Sequence, residues 1–138
     1  MIIKNNAILY FSGTGNSLQV AKDISDKLAG FDLIKLTSLR DEGKITVTAN
    51  AIGIVFPVYY ARLPLVVEEI VKKLECNKNI CFCSSNIWRS TCNSFKKLER
   101  ILQNNGALLN AGFLVHMPKN HIFEYSTKPV KIGDKIFK

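Results

Sequence analysis

Residues 12 to 17 read Ser-Gly-Thr-Gly-Asn-Ser, between an apolar run from Ala7 to Phe11 and an amphipathic helical pattern that begins near Ser17. A strand, a short turn rich in glycine and hydroxyls, and then a helix is a geometry that holds a phosphate. Gly13 and Gly15 let the backbone curl with no Cβ in the way. Successive N–H groups and the positive end of the helix then converge on one small anion. The side chains of Ser12, Thr14, Asn16 and Ser17 add donors. Hydroxyls and amides, rather than lysines, suit a phosphate held without neutralisation of its charge. What is missing narrows the choice. A nucleoside-triphosphate loop ends in Gly-Lys-Ser/Thr, yet no lysine occurs between Lys4 and Lys22. A dinucleotide fingerprint needs a third glycine where this chain has Leu18. The same residues would also serve as an ordinary glycine turn; their place between strand and helix favours the anion.

Other residue types add little chemistry. Cys76, Cys81, Cys83 and Cys92 form no Cys-x-x-Cys pair, and Cys81 and Cys83 fall on one face of an apolar run. Buried thiols in a reducing compartment are expected, with no metal or iron–sulfur site. His116 and His121 fall in or after the last expected strand, and no side chain of this sequence is assigned a catalytic role. The chain of 138 residues is 47% hydrophobic and 22% charged, which predicts one soluble domain over 1–138, with 119–138 an irregular tail. No apolar run is long enough to span a bilayer, and the polar start, Met-Ile-Ile-Lys-Asn-Asn, does not read as a signal peptide. A cytoplasmic location is expected. The net charge is +8. Lys72, Lys73, Lys96, Lys97 and Arg100 read as solvated helix faces, and no basic stripe interleaved with aromatics points to nucleic acid. The excess charge suits docking to an acidic protein.

The elements that position the loop follow from hydrophobic periodicity. Ala7 to Phe11 predicts a first strand. Leu18, Ala21, Ile24 and Leu28 recur at helical spacing, and Gly30 closes that helix. Phe31 to Leu36 predicts a second strand. Thr37 to Asn50 holds at most one helical turn, at Ser38 to Glu42. Ala51 to Phe56, ending at Pro57, is the unbroken run of a doubly covered parallel strand. Pro64 opens a second long helix that buries Val67, Ile70, Val71 and Leu74. Asn79 to Ser85 predicts a fourth strand. Ser90 or Thr91 caps a third helix carrying Phe95, Leu98, Ile101 and Leu102, which Gly106 ends. Ala107 to Val115 supplies a fifth strand. Alternating strands and helices predict an α/β fold with a parallel sheet. In such sheets ligands bind beyond the carboxyl ends of the strands, where strand order reverses. Residues 12–17, 57–63 and 84–91 are expected to converge there.

With these segments in place, the chain resembles the flavodoxins, whose Ser/Thr-x-Thr-Gly-x-Ser/Thr loop holds the 5′-phosphate of FMN. More closely, it is similar to the flavodoxin-like half of the flavodoxin–ferredoxin fusions called ferrodoxins. The matching pieces are Tyr10-Phe-Ser-Gly-Thr-Gly-Asn-Ser17, then Phe56-Pro-Val-Tyr59 with Leu63-Pro64 after it, and Gly112-Phe-Leu-Val-His-Met-Pro118. The resemblance implies a flavodoxin-like, doubly wound five-stranded parallel sheet of order 2-1-3-4-5. It also implies noncovalent FMN and electron transfer, as a carrier or as a component of a flavin-dependent oxidoreductase. On this basis Ser12, Gly13, Thr14, Gly15, Asn16 and Ser17 bind the phosphate. Pro57, Val58, Tyr59, Tyr60 and Ala61, with Arg62 after them, form the first loop at the isoalloxazine ring. Ser85, Asn86, Trp88 and Arg89 form the second, with the aromatic rings against the flavin. The partner is a redox protein, acidic in surface or a ferredoxin.

The chain departs from the flavodoxin pattern in three respects. In flavodoxins a glycine of the first ring loop lets its peptide flip toward flavin N5, but Val58 to Leu63 contains none. A flip to positive φ costs about 1 kcal/mol or more at any other residue, so weaker stabilisation of one-electron-reduced flavin is expected. The positive charge, with Arg62 and Arg89 in the ring loops, predicts a less reducing flavin than in acidic flavodoxins. Finally, Pro129 and Gly133 interrupt the segment where a closing helix belongs, so a final helix is expected to be short or absent. A sheet face left bare in this way favours a homodimer. The competing reading is a flavodoxin-fold interaction module, a shortened relative that no longer binds FMN.

Overall fold

A computed structural model describes residues 1–13, 15–57, 62–76, 80–87 and 92–116. In chain order the elements are β1 (Ile2–Ile3), β2 (Ala7–Tyr10), α1 (Asn16–Leu28), β3 (Asp32–Lys35), a 3-10 turn (Leu36–Leu39), β4 (Ile45–Val47), β5 (Ala51–Pro57), α2 (Leu65–Val71), β6 (Leu74–Glu75), β7 (Ile80–Ile87), α3 (Cys92–Asn104) and β8 (Leu108–His116). The expectation of a single sheet is overturned. Among the described residues there are two sheets, one of three strands in the order β1-β4-β6 and one of five in the order β3-β2-β5-β7-β8. Every pairing is parallel.

The smaller sheet has a simple relation to the larger one. β1, β4 and β6 lead directly into β2, β5 and β7, and they pair in the same relative order. The three central strands thus each have a short partner before them in the chain, β1 before β2, β4 before β5 and β6 before β7. Polar side chains serve the backbone at these junctions. Asn6 Oδ1 accepts the Ala51 N–H at 3.0 Å, and the Asn6 carbonyl accepts the Asp32 N–H at 2.8 Å. The Ile3 carbonyl accepts from the N–H groups of both Thr48 and Ala49. Segments of two or three residues carry no readable period, which is why β1, β4 and β6 escape a pattern-based reading.

Alternation along β2 and β5 divides the core between two faces. Leu9, Ile52, Ile54 and Phe56 are buried with Val67, Ile70, Leu98 and Leu102 of α2 and α3, and with Leu36 and Leu39 of the 3-10 turn. Ile8 and Val55 point the other way, against Val20 and Ala21 of α1. The second helix is shorter than its spacing suggests. It stops at Val71, and Leu74 is buried in β6 instead. The helical turn expected at Ser38 to Glu42 lies earlier, at Leu36–Leu39. The expected caps Ser90 and Thr91, and the whole segment 119–138, where a closing helix is expected to be short or absent, lie outside the described residues.

α1 ends at Ala29, with φ 47° and ψ 137°, before Gly30 at φ 78°. A Cβ at positive φ is strained by about 1 kcal/mol. Ala29→Gly removes that strain and gives back part of it through the freer unfolded chain. A net stabilisation of about 0.5 kcal/mol in urea denaturation is expected; destabilisation of similar size would contradict this geometry.

α2 and α3 are joined by one carboxylate. Glu68 lies 2.8 Å from both Lys72 Nζ and Lys97 Nζ, with its side chain only 14% exposed. Hydrogen bonds from Lys72 and then Lys97 hold its carboxyl below the usual range, against an opposing push from burial. A depressed folded-state pKa stabilises the fold above the unfolded value, and this contribution is lost as pH falls through the folded one. Glu68→Gln should therefore lose about 1 kcal/mol at neutral pH. The parent and variant unfolding curves should converge in acid, well below about pH 4; a difference independent of pH would refute the assignment.

Candidate functional site

β2 is buried along its first three residues because it lies between β3 and β5. Beyond Tyr10 the chain stays paired for one more residue, the Phe11 N–H donating to the Val55 carbonyl at 2.9 Å. It then turns. The Ser12 hydroxyl accepts the Gly15 N–H at 2.9 Å, which closes a tight loop. Gly15 takes φ 95° and ψ −15° as the N-cap of α1, and its carbonyl accepts the Gln19 N–H at 3.0 Å to start the first turn. α1 carries no side-chain cap and no acid in its first turn. The first N–H groups of a helix have no intrahelical partner, and the dipole places partial positive charge there. Ser17 is buried, Ser12 and Asn16 are half-buried, and Gly13 and Gly15 are exposed. Thr14 lies outside the described residues.

The neighbouring strands make the surroundings of this loop. Tyr10 is level with Val55, which is level with Ser84, whereas β5 and β7 continue to the paired residues Pro57 and Asn86. The two strands therefore overhang the loop by two residues, about 7 Å. The step falls where β2 leads to α1 on one face and β5 leads to α2 on the other, the crevice in which α/β sheets hold ligands. Below it, Phe56 meets Phe95 of α3 edge-on, with ring centroids 6.3 Å apart. Of the residues assigned to the ring loops, Pro57 is placed at the end of β5, and Ser85 and Asn86 are placed by their backbone in β7. Val58, Tyr59, Tyr60, Ala61, Trp88 and Arg89 lie outside the described residues.

The described part of this site fits a phosphate monoester. It offers a glycine turn at positive φ, two exposed glycines, neutral hydroxyl and amide side chains, and a helix start free of acids. Ser12 has a role that sequence did not reveal, since its oxygen is an acceptor within the loop while its proton stays available to a ligand. Lys35 is a second such case. It is exposed at the end of β3, level with Tyr10, and only the strand register brings it to this rim.

Elsewhere, an open groove of about 610 Å³ lies between Lys44, Lys73, Glu75 and Asn104, at the far ends of α2 and α3. Its lysines are engaged, Lys44 with Glu75 and Lys73 with the Arg40 carbonyl. Among the described residues no cluster of His, Cys, Asp and Glu could hold a metal ion. No described helix is long and apolar enough to cross a membrane.

Comparison with curated proteins finds no match. Among solved structures, the fold is similar to that of a protein of Bacteroides uniformis ATCC 8492 provisionally named a flavoprotein. The TM-score is 0.60 over 81% of this chain and 90% of the other, at 15% identity, a likeness of fold alone. The sequence family described as a flavodoxin domain matches residues 7–117, a span that takes in the 12–17 loop and every strand of the larger sheet. With that match over most of its length, the chain belongs to the flavodoxin domain family.

Proposed function

We propose that this protein binds one FMN noncovalently at the carboxyl end of the larger sheet and transfers electrons to and from a protein partner. The observation that carries the reading is the turn closed by Ser12 and Gly15, set between β2 and an acid-free helix start. Ser12, Gly13, Thr14, Gly15, Asn16 and Ser17 hold the phosphate through N–H and hydroxyl donors. Pro57, Val58, Tyr59, Tyr60 and Ala61 line one side of the ring, and Ser85, Asn86, Trp88 and Arg89 the other, where aromatic faces exclude water. Bound FMN supplies the redox chemistry; the protein binds it, orients it and sets its potential.

Kinship with the flavodoxin half of the ferrodoxins is the finer assignment, supported by Tyr10–Ser17 and by Phe56-Pro57-Val58-Tyr59. A cytoplasmic location and a homodimer belong to the same proposal. A light-scattering mass of one chain at micromolar concentration would remove the dimer. Gel filtration after incubation with excess FMN tests the cofactor. One FMN retained per chain supports the reading, and complete loss of the yellow colour sinks it. That loss would select the second reading, an FMN-free interaction module, which the lack of glycine from Val58 to Leu63 favours. For the loaded protein, potentiometric titration should give a two-electron-reduced state less reducing than in acidic flavodoxins, because cations near the ring stabilise its negative charge. A very low potential for that state would contradict this.

A further inference from the structure

Among the described residues most acids lie away from the carboxyl end of the larger sheet. The chain's eleven acids are Asp23, Asp26, Asp32, Asp41, Glu42, Glu68, Glu69, Glu75, Glu99, Glu124 and Asp134, of which the last two lie outside the described residues. Of the others, Glu68 falls in the first turn of α2, the helix that begins at the carboxyl end of the larger sheet. Asp32 begins β3 level with Ala7, and Glu75 sits on β6 level with Thr46. Asp41 and Glu42 precede β4, while Asp23, Asp26 and Glu99 lie two turns or more into their helices. Glu68 is held between two lysines and Glu69 pairs with Arg40.

The chain that joins the strands at the carboxyl end has no acid at all. Residues 11–17, 35–38, 57–64 and 86–91 contain neither Asp nor Glu, but they contain Lys35, Arg62 and Arg89. Lys35 and Arg62 are exposed and, among the described residues, neither belongs to an ion pair. α1 and α3 both begin at this end without an acid in the first turn, so their dipoles add partial positive charge there. With Glu68 offset by Lys72 and Lys97, the loops of this rim carry net positive charge.

We infer that the rim carrying Lys35 and Arg62 is a docking face for an electron-transfer protein with an acidic surface. Its use for electron transfer rests on the flavin reading above; the docking itself does not. A field of one sign, confined to one end, orients a partner and speeds encounter, and salt weakens it. Electrons then pass between the partner and the end of the fold where the crevice opens, without a long path through the protein.

The test is an NMR titration of the FMN-equilibrated full chain with an acidic soluble haem carrier of the cytochrome b5 type and with a basic carrier of the cytochrome c type. Both are measured at low ionic strength and at about 0.15 M salt. Association with the acidic carrier that weakens with salt is expected. Lys35→Glu and Arg62→Glu should each weaken it about fivefold to tenfold, and Lys27→Glu, at the other end of α1, by less than about twofold. Tighter binding of the basic carrier, no binding of the acidic one, or equal sensitivity to Lys27→Glu would overturn the inference. So would preference for a random-sequence DNA duplex over the acidic carrier at the same salt. FMN fluorescence is read on the same samples. Docking retained without FMN uptake would remove the flavin reading alone, and FMN uptake without docking would remove this inference alone.

Discussion

Gly15→Val will lower affinity for FMN by about 100-fold or more while leaving the protein folded. The reason is conformation rather than space, because a Cβ at this position would meet no atom of the described residues within 4 Å, its chain neighbours aside. At φ 95° a β-branched side chain is strongly disfavoured, so the turn must rearrange. Rearrangement separates the Gly15 N–H from Ser12 Oγ and re-aims the N–H groups that open α1. Each charge-assisted bond to a phosphate is worth about 1.5–3 kcal/mol, so misplacing two of them accounts for the loss. Global stability should fall by only about 1–2 kcal/mol, since the loop carries little of the core. Fluorescence titration with FMN and urea denaturation of the same variant separate the two effects. FMN binding equal to that of the parent would show that this turn is not the phosphate site.

Gly106→Ala will destabilise the fold by about 2–4 kcal/mol, a fall of about 10 °C in Tm. Gly106 has φ 83°, and a Cβ built there would lie 2.7 Å from the Cys76 carbonyl oxygen. That oxygen is backbone, so it cannot swing aside as a side chain would. The segment is fixed further by Asn105, whose side chain donates to the Val71 carbonyl at 2.7 Å and whose carbonyl accepts the Cys76 N–H at 3.2 Å. Relief would need the ends of α2 and α3 to part, disturbing Leu74 and Leu102 beneath them. Thermal denaturation checks this, and a Tm within about 2 °C of the parent would contradict the close approach.

How far the fold could be read from the chain depended on the length of each apolar run. Ala51 to Pro57 is seven residues without a polar side chain, and such a run has few alternatives to a central parallel strand. Ile45–Val47 shows Ile-Thr-Val, three residues with polar neighbours, and becomes a strand only because Ile2–Ile3 and Leu74–Glu75 flank it in space. Leu74 misled for a related reason. It stands three residues after Val71, as a helix requires, but the chain has already left the helix and buries the same side chain from a strand. The loop at Ser12 to Ser17 was legible because glycine at a positive-φ corner leaves a mark in sequence. Lys35 left none, since its place beside the loop is a matter of register between β2 and β3. The same holds for the acid-free loops at the carboxyl end, whose common place is invisible until the strand directions are known.

A parallel fluorescence titration with FMN and with riboflavin tests the central claim most directly. The two ligands share the ring and differ in the phosphate, so their ratio isolates the contribution of the Ser12–Ser17 turn. Quenching that saturates at one FMN per chain, with riboflavin bound about 100-fold or more weakly, is the predicted result. Equal affinity for the two, or no quenching by either, would contradict a phosphate-held flavin at the carboxyl end of this sheet.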